Sequence, residues 1–515
     1  MELMLMGSAG ALIALGLFVY TLMQPYVRGL YKLRGPPSSS LLLGLAADLG
    51  GIDWDRGNYP QPIVRYAREY GMVYYNRLFH MHRMAMMDPV GLKHILVTRS
   101  DIYPRCNITR TLFQKLARGV GLLSAEGAVH DRMRKQLHPH FTPVQIKSFL
   151  PIFEQHAKAF LGHLPPSTPI DLLERFTQLA LDVIGVTAFG FAFNAIQGTR
   201  SDEIRACEDC KIPISILANV GAAYLPYWDS LPLPWVARQR AAKDVLQQIV
   251  TKVIDAKLAS PKTHTARDLL DLMLLSDVSA ADARVHAATF LQAGHETTSN
   301  TLAWVVVTLT AHPEMAERVH CECHAVLARH PTGLTSDAVG ELVLLTACIH
   351  ETLRLYPTAP TLSDRIATQD NVVPLMDGDS FFVPKGTQVG IDVLAIHRNP
   401  RFWTDPDAFL PGWRVQTRSG REIQQSVDRF VEGHALQRAD KALRGELSQS
   451  FFYLPFSTGD KNCIGQRFAL LEMQVALVYL LGTFRVHLTP RANVCPKRDL
   501  TTMHPTLLEV TLTAL

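Results

Sequence analysis

One cysteine stands where a thiol is driven toward its reactive form. Cys463 closes the run Phe456-Ser457-Thr458-Gly459-Asp460-Lys461-Asn462-Cys463-Ile464-Gly465, and an apolar-periodic segment, Gln466 to Met473, begins at once. A thiol at the start of a helix meets unpaired N–H groups and the positive end of the helix dipole. Lys461 adds a nearby positive charge. Thiolate is the form that attacks electrophiles and binds metals. Read alone, a lone cysteine such as Cys463 is more often a small buried hydrophobe, so the rest of the chain has to decide.

A second constellation is Ala293-Gly294-His295-Glu296-Thr297-Thr298, inside a helical pattern from about Ala281 to Ala311. Phe290, Ala293, Gly294 and Thr297 share one face at three- and four-residue spacing. Small residues there let a flat ligand approach the backbone. Gly and Thr are poor helix formers, and a local cost of that kind points to function. A third is Glu351-Thr352-Leu353-Arg354 before Leu355-Tyr356-Pro357, an acid–base pair three residues apart on one helical face. A fourth is His130 and Arg134, four apart in Gly127 to Phe141, which on their own read as part of a basic surface helix.

Together these four segments resemble the cytochrome P-450 superfamily, in that family's order, over residues 127–465. The run ending at Cys463 is similar to its haem-binding loop, with Phe456, Gly459, Lys461 and Gly465 at the matching positions. Lys461 stands where the family usually has Arg or His. The resemblance implies that Cys463 is the axial thiolate of haem b. Ala293 and Gly294 would line the cofactor. Thr297 would be the hydroxyl that binds dioxygen and relays protons, with Glu296 the adjacent acid. His130, Arg134 and Arg365 would pair with the haem propionates. His130 replaces a frequent Trp, a variant associated with fungal members. Glu351 and Arg354 would form the family's structural pair beneath the loop. Its usual third partner is an Arg in a segment matched by Asn399 to Arg414, where Trp413 takes the Arg position and Arg414 comes one residue late.

The surrounding elements follow from composition and periodicity. The chain has 515 residues, 47% hydrophobic and 19% charged, with 51 basic and 47 acidic side chains and a formal net charge of +4. That balance suits a globular body and gives no reason to expect a nucleic-acid partner. Eight cysteines form no disulfide framework. Cys207-Glu-Asp-Cys210 and Cys321-Glu-Cys323-His324 have metal-like spacing, but lie in charge-rich helical stretches and read as reduced thiols.

Leu3 to Met23 is 21 residues without a charge, long enough to span a bilayer. Bulky Gln24-Pro25-Tyr26-Val27 follows, with no obvious cleavage site, and then Arg28, Lys32 and Arg34. This favours an anchor over a signal peptide, with the body cytosolic. The sequon at Asn107-Ile108-Thr109 should then stay unmodified. Residues 1–34 are read as anchor and basic flank, and 35–515 as one catalytic domain beyond a Gly35-Pro36-Pro37 linker.

Strand-like zones at Val73 to Asp88, Asn371 to Val389 and Arg485 to Leu515 flank a mostly helical centre. The expected class is mainly α (α+β): a long distal helix facing a Cys-bearing proximal loop, with small sheets. Arg414 to Ser450 reads as a polar surface insertion.

What the resemblance implies is a single-pass monooxygenase of the endoplasmic reticulum membrane. Its electrons would come from an NADPH-dependent flavoprotein reductase, because the chain shows no dinucleotide fingerprint. Arg134, Lys135 and Lys461 are candidates for the reductase-docking face. The apolar, proline-broken stretch Ile212 to Trp235 fits a substrate entrance dipping into the membrane, and equally a buried loop. A lipophilic small molecule of fungal specialised metabolism, with a terpenoid as first choice, is the expected substrate. Two alternatives are a haem-thiolate isomerase or dehydratase and a non-catalytic haem protein; turnover dependent on NADPH and reductase separates them.

Overall fold

The computed structural model describes residues 29–515 apart from 39, 42, 46–53, 79–80, 199–200, 211–220, 223–224, 226, 260–267, 277, 412, 419–420, 427–429, 431–433 and 500, and before residue 29 only 16, 19, 20 and 23; the side chains of 31, 55, 413–418 and 421–426 are also outside the description. The apolar stretch read as an anchor therefore lies almost wholly outside the described residues. Among those described, no helix is long and apolar enough to cross a membrane.

Helices dominate. The ones that build the site are α1 (Asn107–Ala117), α2 (Gly127–Leu137), α3 (Leu172–Ile184), α4 (Asp202–Asp209), α5 (Ala280–Thr310), α6 (Val343–Leu355), α7 (Val393–His397), α8 (Ala435–Arg444) and α9 (Gln466–Thr483). The longest, α5, starts where Ser279 Oγ accepts the Asp282 N–H at 3.0 Å, and Asp282 places negative charge in the first turn. From Ala283 to Leu309 most of its residues are buried, as expected of a helix threaded through a core. It packs along α3, and α9 packs against α5 and the helices Leu150–Gly162 and Pro313–Arg329.

The sheets are small. β1 (Val73–Leu78) and β2 (Met81–Met86) form a hairpin extended by β3 (Arg365–Ile366) and β6 (Gln388–Gly390) in the order β1-β2-β6-β3. β4 (Asn371–Pro374) and β5 (Ser380–Val383) pair separately, as do β7 (Asn493–Arg498) and β8 (Met503–Leu507). All three strand-like zones of the sequence are thus strands.

The polar stretch after Arg414 is more than a surface insertion. Its helix α8 buries Asp440 and Arg444. Asp440 accepts the Thr404 N–H at 2.8 Å. Arg444 donates to Phe402 O at 3.0 Å and lies 3.9 Å over the Trp403 ring. The segment looked exposed because its composition is polar, yet two of its charged groups are buried by bonds to a loop far away in the chain.

One buried acid yields a stability prediction. Glu472 on α9 is 3% exposed, and its Oε1 has no hydrogen-bond partner among the described residues. Burial holds its carboxyl well above the ordinary value of 4.5. The folded chain keeps a proton that the unfolded chain releases, so this group lowers stability as the pH rises above 4.5. Glu472→Gln, with no proton to lose, should raise the denaturant midpoint at neutral pH, with the gain shrinking below that value. A pH series of unfolding curves checks this; a gain independent of pH would contradict it.

Candidate active site

The loop before α9 is built by backbone bonds and one obligatory glycine. Ser457 N–H donates to Leu454 O at 3.0 Å, Asn462 N–H to Gly459 O at 3.3 Å, and Cys463 N–H to Phe456 O at 2.9 Å. Gly459 has φ +80°, and a Cβ there would sit 2.2 Å from Leu96 O. Gly459→Ala should therefore cost at least about 2 kcal/mol, from left-handed strain of about 1–2 kcal/mol plus displacement of that carbonyl. Denaturant unfolding measures this, and a neutral result would mean the loop is soft.

Cys463 is exposed by area, yet burial among protein atoms pushes its thiol up from 9.0. The two facts agree if the sulfur faces an internal hollow rather than the outer surface. The Gly465 N–H and the Arg134 charge act in the opposite direction, favouring thiolate. Ala293, midway along the buried α5, is exposed in the same sense.

Beside Ala293 lies a cavity of about 530 Å³. Its walls come from α1 (Ile108, Leu112, Phe113), α4 (Cys207) with Cys210 just beyond it, α5 (Thr289, Gln292, Ala293, Glu296, Thr297), the Ala359–Asp364 segment, and Thr501 and Thr502. Thr297 Oγ1 donates to Ala293 O at 2.7 Å, and Glu296 Oε1 accepts from Thr502 Oγ1. Cys463 is not among the lining residues. Gly294 points elsewhere: a Cβ there would lie 2.9 Å from Ile184 Cδ1. Its smallness serves the close packing of α5 on α3, not the approach of a flat ligand expected from its spacing.

A cationic cluster lies between α2 and the Cys463 loop. Arg365 on β3 is 4% exposed and its Nη1 has no partner among the described residues; burial, and then Arg105 beside it, push its guanidinium down to about 10. Arg105 pairs across an isolated bridge with Arg365, and its Nη1 donates to Glu126 Oε1 at 3.0 Å. Buried His130 bonds Asp131 through Nδ1 at 3.1 Å, while its Nε2 is unpartnered.

Arg365 Nη1 is a donor that a buried dianionic group such as the haem propionates would meet, with Arg105 beside it as a second cation; His130, whose Nδ1–H is given to Asp131, would donate from Nε2 as the imidazolium that such an anion favours. Two expectations shift. Arg134 is committed to Asn462, donating to its O at 2.7 Å and its Oδ1 at 2.5 Å. Lys461 is only 6% exposed and bridges Asp460 at 3.1 Å and Glu126 at 3.4 Å. Neither is available as a docking cation, whereas Lys135 is exposed. Arg105 and Glu126 were not foreseen, because neither sits in a periodic pattern.

Under the loop, Glu351 and Arg354 are both 0% exposed and joined by two 2.8 Å bonds. Arg354 also donates to the carbonyls of His397, Pro406 and Ala408, and Glu351 accepts the Leu410 N–H. Arg414 lies in the strand Trp413–Arg418, its side chain outside the described residues. Among the described residues, Arg444 is the cation that shares the Trp403 ring with Arg354. Among the described residues neither cysteine cluster converges into a ligand set; His130, Asp131 and Asp460 do bring ligand atoms within 4.8 Å of one another.

Comparison with known proteins follows the same lines. Residues 35–512 match the family model described as Cytochrome P450. Human Cytochrome P450 4F8 is 31% identical over 72% of this chain and 71% of its own length. Cytochrome P450 97B2, chloroplastic, from Glycine max is 31% identical over 82% and 77%. Cytochrome P450 monooxygenase 128 from Postia placenta is 28% identical over 90% and 87%.

Proposed function

This chain belongs to the cytochrome P450 family and is a haem-thiolate monooxygenase; on that premise we propose that it oxidises a lipophilic small molecule, with Cys463 as the sulfur ligand of haem b and Thr297 and Glu296 as its proton-handling pair. The observation that carries this reading is the convergence of Ala293, Glu296 and Thr297 on one wall of the cavity, in mid-course of a buried helix. When bound, haem supplies the activation of dioxygen for insertion into an unactivated C–H bond, with electrons from a partner reductase.

The chain's own groups have separable tasks. Arg365 and Arg105, with His130 when protonated, would hold the propionates. The Gly465 N–H and Arg134 stabilise charge on the Cys463 sulfur. Thr297 Oγ1 has its proton on Ala293 O, leaving its lone pairs toward the cavity. On this reading the Thr297 hydroxyl, turned off that carbonyl, would donate a hydrogen bond into the cavity, and Glu296, held by Thr502 on the same wall, would pass protons toward it. The apolar wall of Ile108, Leu112 and Phe113 excludes water and suits a lipophilic substrate.

We further read residues 1–34 as a membrane anchor and 35–515 as the catalytic domain, in the endoplasmic reticulum membrane beside an NADPH-dependent flavoprotein reductase. The start of the family match at residue 35 supports the division. Exposed Leu225, Tyr227 and Trp235 support a membrane-dipping entrance. A terpenoid of fungal specialised metabolism is the substrate we propose, supported by the His130 variant and by similarity to the Postia placenta protein along most of the chain.

The test is turnover of lipophilic candidates by membranes carrying the chain, with reductase, NADPH and isotopically labelled dioxygen. One labelled oxygen atom in the product, dependent on both NADPH and reductase, is expected. Rearranged product without NADPH would replace this reading with an isomerase. Thr297→Val should lower product formation by about a hundredfold, the usual scale for loss of a proton-transfer group, while NADPH consumption persists.

A further inference from the structure

His397 is the last residue of α7 and is fully buried. No motif discussed above includes it. Its ring joins the two halves of the proximal architecture. Nε2 receives the Leu454 N–H at 2.7 Å, and Nδ1 faces Arg354 O at 3.2 Å. A backbone N–H can only donate and a carbonyl can only accept. The imidazole is therefore a single neutral tautomer, with its proton on Nδ1. Burial, and then the Arg354 charge, push its pKa down to about 3, so that tautomer persists across the working pH range. The backbone answers in return, as Arg354 Nη1 donates to His397 O at 2.9 Å.

Leu454 is where this link matters. It lies outside any helix or strand and is completely buried, so its N–H has no ladder partner to fall back on. Its carbonyl accepts from Ser457, and Phe456, inside that turn, accepts the Cys463 N–H. The order of fixed contacts is Arg354, His397, Leu454, the 454–457 turn, Phe456 and Cys463. Tyr453 stacks on the His397 ring with centroids 5.3 Å apart, which fixes the ring plane.

We infer that His397 is a positioning residue for the haem ligand, transferring the rigidity of the Glu351–Arg354 pair to the loop that aims the Cys463 sulfur. The inference rests on Cys463 being that ligand. It acts through a backbone amide, in the manner of the outer groups that orient ligands in metal sites.

The experiment compares three variants of the full chain, each loaded with haem. His397→Gln can still present an oxygen to the Leu454 N–H. His397→Asn keeps a group near Arg354 O but is too short for Leu454. His397→Phe keeps the ring and loses both bonds. The readouts are the reduced, carbon-monoxide difference spectrum, the haem midpoint potential and the thermal midpoint. In Asn and Phe the ratio of thiolate-ligated to other haem should fall about tenfold, the size of one lost buried hydrogen bond. Gln should recover most of that ratio.

If Asn and Phe lower only the thermal midpoint and leave spectrum and potential unchanged, His397 is mere packing and the inference is overturned. Equal loss in Gln and Asn overturns it too. If Phe does not fold, the Gln–Asn comparison still decides. An unsubstituted protein without the red-shifted thiolate band would instead refute the Cys463 assignment, a result distinct from any of these.

Discussion

Cys463→Ala should fold as the parent does and lose both the red-shifted band of the reduced, carbon-monoxide-bound haem and all measurable turnover. The loop around residue 463 is closed by backbone bonds that alanine can make: 463 N–H to Phe456 O, 462 N–H to Gly459 O and 457 N–H to Leu454 O. Removing one sulfur therefore leaves the hydrogen-bond framework intact. What is lost is the thiolate, which the Gly465 N–H, Arg134 and coordination itself all favour. Far-UV circular dichroism should be unchanged while the Soret band moves to that of haem lacking a thiolate. A variant that keeps the red-shifted band would move the ligand away from Cys463 and take the monooxygenase site with it.

The second large effect is on stability. Breaking a buried ion pair by removing one partner costs about 3–5 kcal/mol, a large share of the roughly 5–15 kcal/mol that holds a typical protein folded. Glu351 and Arg354 are the clearest such pair here, with no exposure on either side. Glu351→Gln leaves a buried guanidinium facing a neutral amide. Arg354→Met is expected to be worse. It also strips donors from the carbonyls of His397, Pro406 and Ala408, each an orphan worth about 1–3 kcal/mol. Exposed pairs such as Arg205–Asp202 serve as controls and should cost about 0–1 kcal/mol. Denaturant unfolding of the three variants ranks them. Similar small losses for all three would mean that water reaches the Glu351–Arg354 pair.

Much of the site was legible because its signals are local. The glycine-containing loop, the cysteine just ahead of a helix and the Glu–Arg spacing each need only a few neighbouring residues to be recognised. The small and hydroxyl residues along α5 are equally short-range. So are the strand zones, where β-branched and aromatic runs end at Asp377-Gly378 and Lys385-Gly386. Order along the chain then carried the family resemblance, and through it the expected fold.

Partners far apart in sequence were a different matter. Nothing around Arg134 says that it will hold Asn462, 328 residues away, or that Lys461 will be neutralised by Glu126. Gly294 shares a face with Thr297 by spacing, but only the packing of α3 shows that its missing side chain makes room for Ile184. Asp440 and Arg444 look solvated until Thr404 and Phe402 are brought beside them. The reason is physical: helix and strand formation depend on periodicities of a few residues, whereas a buried polar group is satisfied by whichever donor or acceptor the tertiary fold delivers within about 3 Å. Residue type and short-range spacing thus mark which side chains could do chemistry and on which elements they ride, while long-range packing sets which of them are left to do it.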